Sequence, residues 1–242
     1  QFVFTWQNYP SFRFDSSARQ QQYMYDILTG ADLSTRLVHP RYFDALQIFY
    51  LRRYIIKFVN ANMILSWILE LFPVRAILML RHPCAVVSSQ MLHGAWSSIT
   101  RDSMPTLVPQ KLLEDYPYLK PISETLHSLE ELLAFFWAIQ NLIPLQKRDP
   151  AWLLTTYERM VTHGNEEILR LFNYLDEPIP KTASLQLRKP SSTTKNYSNV
   201  AQGRDPLTGW RSNLTAKQID LILATVHNVG ITCYTEDYMP QL

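Results

Sequence analysis

Glycine is scarce in this chain: six residues in 242, at positions 30, 94, 164, 203, 209 and 230. That spacing excludes a Gly-x-x-x-x-Gly-Lys-Ser/Thr loop and a Gly-x-Gly-x-x-Gly turn, the two glycine-rich devices for cradling a nucleotide's phosphates. It also excludes the Gly-x-Ser-x-Gly elbow of serine hydrolases. Cysteine is rarer still, and Cys84 and Cys233 make neither a disulfide framework nor a metal site. Cys84 is expected in the core and a reduced, cytoplasmic setting is the default. The triplets Asn196-Tyr197-Ser198 and Asn213-Leu214-Thr215 keep a secretory or Golgi-lumenal location open. No two of the six histidines (39, 82, 93, 127, 163, 227) have a helical i, i+4 spacing, so no metal is expected.

Long hydrophobic runs are missing too. The most apolar region, Tyr54 to Leu80, is broken by Lys57, Glu70 and Arg75 before it reaches the roughly 18 residues of a membrane span. No basic-then-apolar leader follows Gln1, and the chain is expected to be a fragment or the ordered part of something longer. Net charge is +2, too little to argue for a nucleic-acid partner, so any anion site must come from local clustering.

What is present is a globular composition. Hydrophobic residues make up 47% and charged residues 18%, enough for a sizeable core in one domain, or one domain with a lid. Periodicity predicts helices over 17–28 and 41–52, a strand over Tyr54–Val59 and a helix over Ala61–Phe72 that Pro73 stops. A strand at Ala76–Leu80 and a helix over 83–98 follow, then a loop region over 99–120 with one short helix. A long helix is predicted over 122–147, a third strand at Trp152–Thr156, and helices over 165–176 and 215–229, the last capped by Asn213 or Thr215. Between these last two, residues 178–213 read as a long polar loop, a length that is usually functional or mobile. Strands alternating with helices predict an α/β fold, a parallel sheet flanked by helices.

The most informative stretch is Arg81-His82-Pro83-Cys84-Ala85-Val86-Val87-Ser88-Ser89. An Arg that ends a buried strand and runs through Pro into a helix puts a guanidinium at the carboxyl edge of the sheet, where ligands bind in open α/β folds. Arg81, a hydroxyl at Ser89 and the helix start together suit a phosphate. The alternative is an ion-paired strand-end Arg and a solvated Ser. Lys57 stands alone in its predicted strand, which is costly unless it reaches an anion or snorkels from an edge. Tyr157 offers a flat face at the end of the third strand, or simply packs there. Between Arg188 and Arg211 the loop carries Arg188, Lys189, Lys195, Arg204 and Arg211 against one acid, Asp205, which reads as a phosphate clamp or a solvated basic loop. His93 lies one turn beyond Ser89, facing a ligand or serving an ordinary surface or core role.

Set in order, these pieces resemble the sulfotransferases that use 3′-phosphoadenosine 5′-phosphosulfate. The shared pattern is a strand bearing Lys57, then Leu71-Phe72-Pro73, then Leu80-Arg81-His82-Pro83 with Ser89 eight residues after Arg81. Tyr157-Glu158 resembles the family's Tyr-Glu after a later strand. Gly209-Trp210-Arg211-Ser212-Asn213-Leu214-Thr215 resembles its Trp-basic motif near the C terminus. The likeness covers about residues 54–235 and implies a P-loop-like sulfotransferase architecture over a single domain, 1–242, with 178–213 as a lid. It implies that Arg81, Ser89 and Arg204 hold the nucleotide's 3′-phosphate, that Tyr157 contacts its adenine and that Lys57 lies near the transferring sulfuryl group.

Two departures stand out. The family's Lys- or Arg-Ser-Gly-Thr-Thr loop, which grips the 5′-phosphosulfate, is not among these residues. The strand Lys has Val59 where one branch of the family has a catalytic His, which leaves His93, His39 and Asp15 as candidate bases. The resulting expectation is sulfuryl transfer to a hydroxyl or amine of a small-molecule acceptor, releasing adenosine 3′,5′-bisphosphate without a metal. The alternatives are a nucleotide or small-molecule kinase, and a bisphosphate-binding pseudoenzyme or interaction module. No membrane span is expected, and homodimerisation is left open.

Overall fold

A computed structural model describes residues 18–29, 55–59, 61–94, 96–147, 150–186, 203 and 205–242. The predicted helix over 41–52, most of the loop from 187 to 204, and Arg204 itself lie outside the described residues. The fold is mixed α/β and mostly helical. In order come α1 (Ala18–Thr29), a 3-10 turn at Asn62–Ile64 running into α2 (Leu65–Leu71), β1 (Ala76–Leu80) and α3 (Pro83–His93). After a 3-10 turn at Arg101–Ser103 come the short α4 (Met104–Leu107), α5 (Gln110–Asp115) and α6 (Leu119–Glu124), then the long α7 (Leu129–Gln146). The chain continues through β2 (Trp152–Thr156), α8 (Tyr157–Thr162), α9 (Gly164–Leu175), α10 (Ala183–Gln186), a 3-10 turn at Gly209–Ser212 and α11 (Ala216–Val229).

The centre of the molecule is α7. Every residue from Leu132 to Ile139 is buried, as are Asn141 to Pro144, so this helix is apolar nearly all round and must be surrounded. Its start is fixed by a capping box. The Ser128 hydroxyl accepts from the Glu131 N–H, and the Glu131 carboxylate accepts from the Ser128 N–H at 2.8 Å. Helices α3 and α11 pack against α7, and their Cys84, Val87, Ile222 and Val226 share its core with Trp210 and Tyr234. Each such side chain removed from water is worth about 1.5–3 kcal/mol. Among the described residues, no helix is long and apolar enough to cross a membrane.

The sheet has two strands among the described residues. They run parallel, in a register that sets Ala76 opposite Trp152 and Leu80 opposite Thr156. Leu78, Leu80 and Trp152 are buried together against Leu65, Leu69 and Leu145, which seats the sheet on α2 and α7. A second anchor lies behind β2. The Glu167 carboxylate of α9 is fully buried and accepts from Thr155 and Arg170, and from Arg159 Nε at 3.3 Å. Arg170 also donates to the Leu154 carbonyl at 2.8 Å.

Several expectations change. Residues 55–59 form no strand. Their side chains alternate, with Ile55, Lys57 and Val59 exposed, while Phe58 packs against the Met24, Ile64 and Ile68 cluster of α1 and α2 rather than on the sheet. The helix predicted over 83–98 stops at His93, because Gly94 takes a left-handed conformation (φ 71°) and its N–H caps the Gln90 and Met91 carbonyls. The helix predicted over 122–147 is two helices, since the Ser128 cap starts α7 afresh after α6. The region 99–120 holds several short helices instead of one. Thr215, not Asn213, caps α11, with Gln218 completing the box.

Burial alone would raise the pKa of Glu167, but hydrogen bonds and charge from Arg170, with Thr155 and Arg159, outweigh it and bring it down to about 2. The folded carboxyl is therefore more acidic than the unfolded one. Its contribution is complete above the ordinary value of 4.5 and is lost as pH falls from there to about 2. Glu167→Gln should cost about 2–3 kcal/mol at neutral pH and flatten the acid limb of the stability profile, as read by denaturant unfolding across that range.

Candidate functional site at the carboxyl edge of the sheet

Because Leu80 pairs with Thr156, the residues that follow them leave the sheet side by side. Arg81 is half-buried, and its guanidinium carbon lies 4.5 Å from the centre of the Tyr157 ring. This is a cation–π contact between two residues that the sequence pattern had singled out separately. One terminal nitrogen of Arg81 reaches the Pro206 carbonyl at 3.5 Å, the limit of a hydrogen bond. Arg81 Nε is buried without a partner.

The turn after Arg81 is built around His82, which is fully buried. Its backbone N–H donates to Glu158 Oε1 at 2.8 Å. Its ring Nδ1 accepts from the Cys84 N–H at 3.2 Å, and its Nε2–H donates to the Thr235 carbonyl at 2.9 Å. The two ring contacts require the neutral tautomer with its proton on Nε2. The imidazole is stacked on Trp210, with centroids 4.8 Å apart and planes 11° from parallel, and meets Tyr234 edge-on at 5.2 Å. Trp210 is held in turn by donation from its indole N–H to the Leu207 carbonyl at 2.7 Å. Outside that ring lies Arg211, whose guanidinium carbon is 5.2 Å from the Trp210 centroid and which donates to the Glu236 carbonyl at 2.6 Å. One turn along α3, Asn213 reaches the Ser88 hydroxyl at 3.4 Å.

Three motifs distant in sequence (81–89, 157–158 and 209–213) thus meet at one edge. Not every expected residue comes with them. Ser89 is exposed on α3 while its neighbour Ser88 faces the interior. His93 is exposed at the far end of α3, roughly 15 Å along the axis from its start by the 1.5 Å rise per residue. Lys57 is exposed in the extended segment outside the sheet. Arg204 lies outside the described residues.

Three further residues complete this edge. His82 sits inside the Arg81–Pro83 motif with no role of its own in the sequence pattern, Glu158 is the companion of Tyr157, and Tyr234 belongs to no motif. Glu158 is buried and its Oε2 has no partner; the Tyr234 hydroxyl is likewise buried and unpartnered. Burial raises the pKa of the Glu158 carboxyl, against lowering by the His82 N–H and the Arg81 charge. Burial also raises that of Tyr234, and the Glu158 charge adds to it. Cys84, pushed up to about 12 by burial, is a packing residue and not a nucleophile.

Burial pulls the His82 pKa from 6.5 down to about 4. The Thr235 and Asp237 backbone contacts pull the other way without prevailing, and the charges of Arg211 and Arg81 add to the lowering. The folded state therefore favours neutral imidazole, and stability is lost as pH falls from 6.5 towards 4. We expect His82 to account for about 2 kcal/mol of lost stability between pH values of roughly 7.5 and 5. His82→Gln, which keeps a donor for Thr235, should remove that part of the slope in chemical denaturation. An unchanged slope would mean that the ring is not held neutral. The chain matches no known protein family, no curated protein and no solved structure.

Proposed function

We propose that the chain is a sulfotransferase that uses 3′-phosphoadenosine 5′-phosphosulfate as donor and a small molecule bearing a hydroxyl or amine as acceptor. The observation that carries the reading is the convergence at His82. Its ring lies on Trp210, its N–H is held by Glu158, and the guanidinium beside it lies on Tyr157, so the three sequence elements of the resemblance lie together at one edge. The P-loop-like architecture belongs to the same proposal, supported by the parallel β1–β2 pair with a helix leaving each strand end.

The residues at the edge fit a phosphorylated nucleoside. Arg81 Nε–H is a buried donor without a partner, next to an aromatic face that can flank a purine. When bound, the donor would supply a sulfuryl group for in-line displacement, a reaction whose catalysis is mostly positioning and stabilisation of oxygen charge. Arg81 would pair with the 3′-phosphate, and Tyr157 would flank the adenine. His82, Glu158 and Trp210 would hold the turn from which Arg81 projects. Ser89 and Arg204 are the further 3′-phosphate ligands of this reading, and Lys57 and His93 its candidates near the sulfuryl group.

Adenosine 3′,5′-bisphosphate should bind more tightly than adenosine 5′-monophosphate by about 2–4 kcal/mol, the worth of one charge-assisted pair. Arg81→Ala should erase the preference, and Arg81→Lys should restore it only in part, since an ammonium lacks the fork. Equal calorimetric affinity for the two nucleotides removes the 3′-phosphate assignment. Transfer from the sulfated donor should survive chelator, and ATP consumption that needs Mg²⁺ would favour the kinase alternative.

A further inference from the structure

The start of α3 already holds an anionic group of the protein's own. Glu158, 2% exposed, sends Oε1 to the His82 N–H at 2.8 Å, where an incoming phosphate would otherwise meet the helix. The carboxyl belongs to the residue after Tyr157, on which Arg81 lies, yet Arg81 and Glu158 form no ion pair among the described residues. Arg81 Nε and Glu158 Oε2 are instead both buried and unpartnered. The carboxyl is out of water and its hydrogen-bonding neighbours, the His82 N–H, its own N–H and the Thr156 hydroxyl, are all neutral, so a second anion brought to the neighbouring guanidinium would repel its charge.

We propose that Glu158 is a proton-coupled positioning residue: an anion that binds at Arg81 draws a proton from solvent onto Glu158, and the neutral acid keeps the His82 turn in place. The proton goes to Oε2, the oxygen without a partner, while Oε1 continues to accept from the His82 N–H. The inference rests on the reading that Arg81 receives the nucleotide's phosphate.

The titratable and charged groups facing the carboxyl are Arg81 and His82 from the β1–α3 turn and Tyr234 from the segment after α11, with Arg211 behind the Trp210 ring. Arg81 and Arg211 keep their charge at all working pH values. His82 and Tyr234 stay neutral between about pH 5.5 and 8, because burial lowers the one and raises the other. Glu158 is the group of this set free to change. Burial raising its pKa agrees with the geometry.

The probe is inorganic sulfate, which has no ionisation of its own in this range, so that any proton taken up belongs to the protein. In the wild-type chain, sulfate affinity measured by calorimetry and by thermal shift should be about tenfold tighter near pH 5.5 than near pH 8, the factor that one pKa unit of coupling provides. In Glu158→Gln, which keeps an acceptor for the His82 N–H, the two affinities should agree within about twofold. Infrared difference spectra of the wild-type chain should show a protonated-carboxyl band growing as sulfate is added. That measurement decides the matter even if the variant fails to fold.

The same pH dependence in both proteins, no growth of the carboxyl band, or no effect of sulfate on the wild-type chain overturns the proposal. If the coupling is found with sulfate but adenosine bisphosphate shows no preference over the monophosphate, the proton-coupled anion site stands and the nucleotide reading falls. If the bisphosphate is preferred and Glu158→Gln leaves its pH dependence unchanged, the nucleotide reading stands and this one falls.

Discussion

The register that sets Leu80 opposite Thr156 governs the candidate site. A parallel pair has evenly spaced hydrogen bonds, so the strand ends stay level and their exits lie next to one another. From that alone follow the approach of Arg81 to Tyr157 and of the His82 N–H to Glu158. A slip of one residue in either strand would turn that strand's buried face outward, parting Leu78 and Leu80 from Trp152. The Glu167 cluster on one side and α7 on the other hold the pair in place, so the chemistry of the edge depends on packing that touches none of it.

The burial pattern also explains why the edge is rich in polar groups under tension. Neutral His82 is satisfied at both ring nitrogens, whereas Glu158, Tyr234 and Arg81 each keep one atom unpaired. Unpaired buried polar atoms are rare in folded proteins, and three of those among the described residues lie together at this edge. Trp210 contributes differently. Its ring gives one face to an imidazole and lies under the Arg211 guanidinium, so it joins two polar groups without a hydrogen bond to either.

Much of this was legible in the sequence where a local rule decides the outcome. Apolar β-strand runs bounded by Pro, Arg and Tyr located β1 and β2, Pro73 ended the preceding helical region, and Thr215 with Gln218 announced the start of α11. Where two local rules competed, the reading failed. Hydrophobic periodicity ran through Gly94 and Ser128, but the left-handed turn at the one and the capping box at the other took precedence. At Ile55–Val59 the apolar run invites a strand, yet a strand needs a ladder partner, and Phe58 packs on the α1 and α2 cluster instead. Arg81 and Tyr157 were visible because they end strands. Tyr234 was not, because its importance comes from the depth at which it is buried rather than from its neighbours in sequence.

The hydrogen bond from His82 to Thr235 spans 153 residues. Closing so long a span costs about 4–5 kcal/mol of chain entropy by the logarithmic loop law, a cost shared with the α3–α11 packing that joins the same two parts of the chain. The edge is therefore held by the packing around α7 as much as by its own hydrogen bonds. Without that packing the imidazole would lose the acceptor for its proton and the indole its flat partner. Loosening of the segment after α11 would therefore undo the candidate edge, and order around His82 reports whether that segment is docked.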